Sequence, residues 1–216
     1  MSRIKHMPFI MYKIQHYLIN EPFIFSKQLS DGRVNSSIDE EILTDKLMSH
    51  FGHEIIKKTK CRTWYDIKVF DKYYGWIPVN IKTTTMKTSD NTGNLAMCVY
   101  AYTDEVLDLD KQYSNGEMSR LFYEKLKYKK YNRNYKKDYY FLVLNKNNQK
   151  DVVINSIKGI SHITPNLNNL PFQICWNKNR TYKYEHINIK ISKLLEVLKR
   201  SPPSWEEIFM KNIRDI

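Results

Sequence analysis

The stretch WIPVNIKTTT, residues 76–85, decides how this chain is read. Side chains alternate across a strand, so Ile77, Val79 and Ile81 share one face while Trp76, Pro78, Asn80 and Lys82 share the other. The first face is apolar and β-branched and belongs against a core. The second carries an amide and an ammonium two residues apart, and lysine is almost never buried without a partner. A partner for Lys82 is therefore expected on a neighbouring element.

The neighbours follow from this strand outward. HEIIKK (53–58), RTWYDIKVFD (62–71) and the turn at KYYG (72–75) lead into it, which predicts three successive strands in an antiparallel meander. Asp66 interrupts the apolar alternation of the middle strand. Upstream, SSIDEEILTDKLMSHFG (36–52) has the signals of a helix: Ser36 and Ser37 as caps, acids in the first turn, Gly52 as the stop. At 100° per residue, Leu43, Leu47 and Phe51 fall on one side with Glu40 at its centre. Glu41 lies at the edge of that stripe and is the second candidate for an acid facing the sheet. Two acids, an amide and a lysine can thus converge at one end of the sheet.

Downstream, GEMSRLFYEKLKYKK (116–130) reads as a helix, DYYFLVLNK and DVVINSI as a hairpin about NNQK (147–150), and LPFQICW (170–176) as a strand. EHINIKISKLLEVLKRS (185–201) reads as a helix ended by Pro202 and Pro203, with Ser204 capping a last short helix at WEEIFMKNIRD. The simplest packing is one α/β domain over residues 1–216, a central mixed β-sheet flanked by α-helices.

Composition narrows the partners. The chain has 216 residues with 35 Lys and Arg against 23 Asp and Glu, a net charge of +12, which favours a polyanion, nucleic acid before membrane. An AT-rich coding sequence, rich in Lys, Asn, Ile and Tyr codons, offers a second origin for that charge. No apolar run reaches the roughly 20 residues a bilayer span needs, and MSRIKHMPFIMYKI lacks the features of a secretory leader. A cytoplasmic location with no membrane partner is expected. Cys61, Cys98 and Cys175 lie far apart in no CxxC pattern, so neither a disulfide framework nor a zinc site is expected. His50 and His53 are three apart but flank a helix end without a third ligand.

The order Glu40, Asp66, then Asn80-Ile81-Lys82 resembles the PD-(D/E)XK nuclease superfamily. With GRVNSSIDEE, VNIKTTT followed by SDN, and LPFQICWNK, the chain is similar to type II restriction endonucleases over roughly residues 32–180. The resemblance implies a restriction-endonuclease-like core, with a catalytic part over about 36–103, a DNA-recognition part over about 138–183 and C-terminal helices over 184–216. It also implies hydrolysis of phosphodiester bonds in double-stranded DNA with Mg²⁺, and a homodimer matched to a palindromic site. Asp66 would be the principal metal ligand, joined by Asn80, the carbonyl of Ile81 and Glu40. Lys82 would orient or help deprotonate the attacking water and offset charge on the phosphate. Asn80 departs from the family pattern, which has Asp or Glu there, so the site loses one negative charge.

Other readings stand beside this one. Singly, Lys82 reads as an edge-strand lysine and Asp66 as a salt-bridge partner of Lys68 or Arg62. The Asn80 departure also suits an inactive basic DNA-binding module, and a repair-type nickase of the same superfamily is a further alternative. For DNA contact, TTTMKTSDN supplies Lys87, Ser89, Asp90 and Asn91, and CWNKNRTYK with its preceding strand supplies Gln173, Asn177, Lys178, Asn179 and Arg180. The run YEKLKYKKYNRNYKKDYY (123–140) mixes seven Lys or Arg with six Tyr, suited to a strand-tracking basic surface or to a solvated helix end.

Overall fold

The structure is a computed structural model that describes residues 7–26, 32–59, 63–91, 94–166, 172–183 and 185–200. The meander forms as read: β1 (Ile56–Lys58), β2 (Ile67–Asp71) and β3 (Gly75–Thr84) pair antiparallel, Val79 opposite Ile67 and Trp76 opposite Phe70. Ile77, Val79 and Ile81 are buried together, and the polar residues Asn80 and Lys82 occupy the opposite face. β5 (Tyr140–Asn145) then lies parallel to β3, with Lys82 opposite Val143, and β6 (Asn148–Ser156) returns antiparallel beside it. The result is a five-stranded mixed sheet in the order β1-β2-β3-β5-β6. β5 is its most buried strand, which is why YFLVL reads as a continuous apolar run.

Two helices cover one face. α1 (Phe9–Asn20) starts after Pro8 and seats Ile10, Met11, Ile14 and Leu18, all buried, against the sheet. The Ile10 N–H donates to Asp71 Oδ2 at 3.2 Å. α2 (Gly32–Phe51) lays Leu43 and Leu47 into the same core. It begins at Gly32, so Ser36 and Ser37 are residues of its second turn and not its caps, and the acids lie beyond the first turn. Gly52, at φ +88°, ends it as expected, its N–H donating to Met48 O at 2.9 Å.

The other face carries α3 (Leu95–Tyr102), α4 (Asn115–Lys127), α5 (Ile187–Arg200) and a second, three-stranded sheet. In that sheet β4 (Ser89–Asn91) and β7 (Ile163–Pro165) flank β8 (Phe172–Cys175), all antiparallel. The fully buried Trp176 follows β8 and meets Phe141 of β5 with ring centroids 5.1 Å apart, locking the two sheets into one core. The boundary between a catalytic part at 36–103 and a recognition part at 138–183 does not follow the sheets. β5 and β6 complete the central sheet, while β4, from the first part, belongs to the second sheet. α5 matches its expected span, and the last helix expected after Pro203 lies outside the described residues. No helix among those residues is long and apolar enough to cross a membrane. Cys98 is buried and Cys175 half-buried, both as free thiols, and Cys61 lies outside the described residues.

Candidate functional site

Lys82 finds its partner on α2. Its Nζ lies 3.8 Å from Glu40 Oε1, both side chains about one quarter exposed. Glu41 instead faces outward and pairs with Lys58 at 2.7 Å, so the choice between the two acids falls to Glu40. Asp66, just before β2, accepts the Ile81 N–H at 2.6 Å through Oδ2, which pins its carboxylate beside the Asn80-Ile81-Lys82 segment. Ile81 therefore serves Asp66 as a main-chain donor. The charges act on one another: Lys82 stabilises the ionised forms of both Asp66 and Glu40, and Asp66 opposes ionisation of Glu40.

Burial dominates both acids. It pushes the Glu40 carboxyl up to about 7, with Lys82 and then Lys146 pulling the other way. It also raises Asp66 above the ordinary carboxylate range, against the pull of Lys82 and the Ile81 N–H. Two adjacent carboxyls whose ionisation is held back by burial are a favourable place for a cation.

Asn80 sits deeper. Its amide lies beside the Tyr139 hydroxyl, which donates to Trp64 O at 2.9 Å, and its Oδ1 is buried with no hydrogen-bond partner among the described residues. A buried amide oxygen without a donor is costly unless something binds it.

Glu40 and Lys82 open onto a cleft of about 390 Å³, lined also by Ser36, Thr84, Asp90 and Asn91, whereas Asp66 and Asn80 are not among its lining residues. Asp90, expected among the DNA contacts, is a cleft residue. Its Oδ1 accepts from Thr84 Oγ1 at 3.2 Å, and Lys82 and Lys146 both act on its charge. Lys146, in the β5–β6 turn, approaches Ser36 Oγ at 3.3 Å and Asp39 Oδ2 at 4.0 Å. Asp39, 2% exposed, also accepts the Ser26 N–H at 2.8 Å. Asp39 and Lys146 were not singled out by the sequence. Nothing local marks them, because only the parallel pairing of β3 with β5 brings the β5–β6 turn beside Lys82.

The remaining expected DNA contacts divide. Asn91 and Gln173 meet across the β4–β8 ladder, the Gln173 Nε2 donating to Asn91 Oδ1 at 2.8 Å and the Asn166 Nδ2 donating to the same oxygen at 3.0 Å. Ser89 stands opposite Cys175 in that ladder. Lys87, Asn177 and Lys178 are exposed, with the Lys178 ammonium 3.3 Å from His162 Nε2. Arg180 pairs with Asp151 and donates to Asn177 Oδ1 at 3.2 Å. Asn179 does not join them. It is 1% exposed: its Oδ1 accepts the Ser161 and His162 N–H groups, each at 3.0 Å, and its Nδ2 donates to His162 O and Cys175 O. All its side-chain polar capacity is spent inside the fold, so it braces the segment after β8 and is not free to make an outward contact.

Among the described residues no three His, Cys, Asp or Glu side chains gather tightly enough to hold a metal by themselves. The oxygen donors around Lys82 are two carboxylates, Glu40 and Asp66, with the Asn80 amide two residues back on the same face of β3. That set suits Mg²⁺, which is commonly held by one or two carboxylates and completes its shell with water and substrate phosphate. No protein-family model matches the chain, and no curated protein sequence does.

Proposed function

We propose that the chain is a Mg²⁺-dependent endonuclease of the PD-(D/E)XK type that cuts double-stranded DNA at a specific sequence, as a type II restriction enzyme does. The observation that carries this reading is Lys82 within 3.8 Å of Glu40 while Asp66 is pinned to the same three residues of β3. Asp66, Glu40 and the Asn80 amide oxygen would hold the cation. When bound, Mg²⁺ supplies positive charge at the scissile phosphate and a more acidic water. The protein's own groups do the rest. The Lys82 ammonium would orient the attacking water and offset the negative charge that grows on the phosphate as the water oxygen bonds to phosphorus and the P–O ester bond breaks. The proton of that water passes to solvent, and the leaving oxygen takes a proton from solvent. Lys146 adds a second cation at the cleft rim for the neighbouring phosphate. Glu40 gives up its proton near neutrality, so the site gains its full negative charge only toward pH 8. Asn91, next to Asp90 in β4, and Gln173, opposite Asn91 in β8, would exchange their mutual hydrogen bond for base edges. A palindromic target calls for two copies about a two-fold axis, which sedimentation would read as a dimer.

The test is incubation of the purified protein with unmethylated phage DNA, with Mg²⁺ and with EDTA. Discrete fragments that need Mg²⁺ are expected. The Asn80 departure favours one second reading, a DNA-binding module without chemistry. Intact DNA under all metals and pH values, retarded on a gel, would establish that reading instead.

A further inference from the structure

The Tyr- and Lys-rich run at 123–140, which the proposed reaction does not use, walls a second concave surface. A cavity of about 490 Å³ opens between the end of α3 and the segment joining α4 to β5, with Asp104 on one side and Tyr128, Lys129, Lys130, Arg133 and Lys137 on the other. Lys137 stands just before β5 and Lys146 directly after it. The cavity and the cleft thus lie at opposite ends of that strand, which spans about 20 Å at the usual rise per residue.

The wall is built as a frame. Asn132, 6% exposed, donates through Nδ2 to Ala101 O at 2.8 Å and Lys137 O at 3.0 Å, and its Oδ1 accepts the Asn134 N–H at 2.8 Å. The Asp104 N–H donates to Lys130 O and the Asn132 N–H to Tyr102 O, each at 2.9 Å, tying the segment to the end of α3. Lys129 turns the chain in the left-handed region at φ +52°, a conformation lysine rarely adopts.

Charge on the frame is one-sided. Asp104, the acid in the wall, is met by Lys125 at 2.7 Å, and the Lys137 ammonium donates to the Thr103 and Glu105 carbonyls. Lys129, Lys130 and Arg133 are exposed and have no ion-pair partner among the described residues. Tyr128, 66% exposed, stands beside them. Cations spaced along a loop framed by these hydrogen bonds, with an exposed tyrosine ring that Lys127 approaches at 5.8 Å from its centroid, match a sugar–phosphate backbone and the face of an unpaired base.

We propose that this cavity is a second nucleic-acid site, separate from the catalytic cleft, that holds DNA by its phosphodiester backbone. The inference rests on the reading of the chain as a DNA-binding protein and is independent of cleavage.

The experiment is fluorescence anisotropy in EDTA with a random-sequence duplex and its single strand, from 50 to 200 mM salt, the range over which phosphate binding shows most clearly. The triple variant Lys129→Ala/Lys130→Ala/Arg133→Ala is expected to bind at least about tenfold more weakly at the low-salt end. Its salt slope should be shallower by about 2–3, about 0.9 for each phosphate no longer neutralised, while its melting temperature stays unchanged. Tyr128→Ala is expected to weaken the single strand more than the duplex. A triple variant with the wild-type slope on both DNAs overturns the site. So does a variant that loses binding of poly-glutamate but keeps its DNA slope, which would assign the cavity to an acidic polypeptide. Wild-type protein that binds no DNA at any salt overturns the functional reading as well, so the two failures are distinct.

Discussion

Glu40 holds its proton to about 7 in the fold, whereas a glutamate in the unfolded chain ionises near 4.5. Between those values the folded state binds more protons, so the stability of the metal-free protein falls as pH rises through that window and is level above it. Asp66, also raised by burial, acts in the same direction. Glu40→Gln should therefore raise the unfolding free energy at pH 8 by about 1–3 kcal/mol and flatten the window, as urea unfolding in EDTA at pH 5, 6 and 8 would read. A substitution that destabilises at pH 8 would mean that the Lys82 contact outweighs the burial of the charge. Asn179 and Gln173 separate brace from reader. Asn179→Ala strands four internal hydrogen bonds and should cost about 2–4 kcal/mol, whereas Gln173→Ala should cost about 0.5–1 kcal/mol and instead relax sequence preference, read by unfolding and by cleavage of variant sites.

At the scale of elements, α2 sets the reach of Glu40. Leu43 and Leu47, both fully buried, fix the helix on the sheet, so Leu47→Ala should lower stability by about 2–5 kcal/mol in urea unfolding through the cavity it leaves. The elements that carry Glu40 and Lys82 were legible from the alternation of β3 and from the Leu43–Leu47 stripe of α2, although Ile38 and Ile42 lie exposed outside that stripe. Other elements show none. α3, LAMCVYAY, is apolar on nearly every side and has no stripe to read. β4 and β7, three residues each, are defined by their partner β8 more than by their own sequence. Ser36 has the composition of a cap, yet the helix starts four residues earlier and turns that hydroxyl toward Lys146. Asn179 lies in a polar run, NKNR, where nothing distinguishes a buried amide from an exposed one. What sequence alone could not supply was long-range pairing: the parallel register of β3 with β5, and β4 with β8, which deliver Lys146 and Asp90 to the cleft.

Across the whole molecule, the Glu40 and Asp66 carboxylates lie beside Lys82 in a basic chain, and a cation there should stabilise the fold. Mg²⁺ at about ten times its dissociation constant should add about 1.4 kcal/mol at pH 8 by mass action, and much less at pH 5.5, where Glu40 keeps its proton. Thermal melting with and without Mg²⁺ at the two pH values reads this, and equal shifts at both would place the metal elsewhere. The proposed function requires Asp66 and Lys82 to act as one reacting centre. Single-turnover cleavage of a mapped DNA site by Asp66→Ala, Lys82→Ala and the double variant reads this coupling. Groups that act as a unit lose activity non-additively. Each single variant is therefore expected to fall by at least about 10²–10³-fold, with the double variant no slower than the worse single one. Either single variant within about tenfold of wild type, or losses that multiply in the double variant, would contradict the claim.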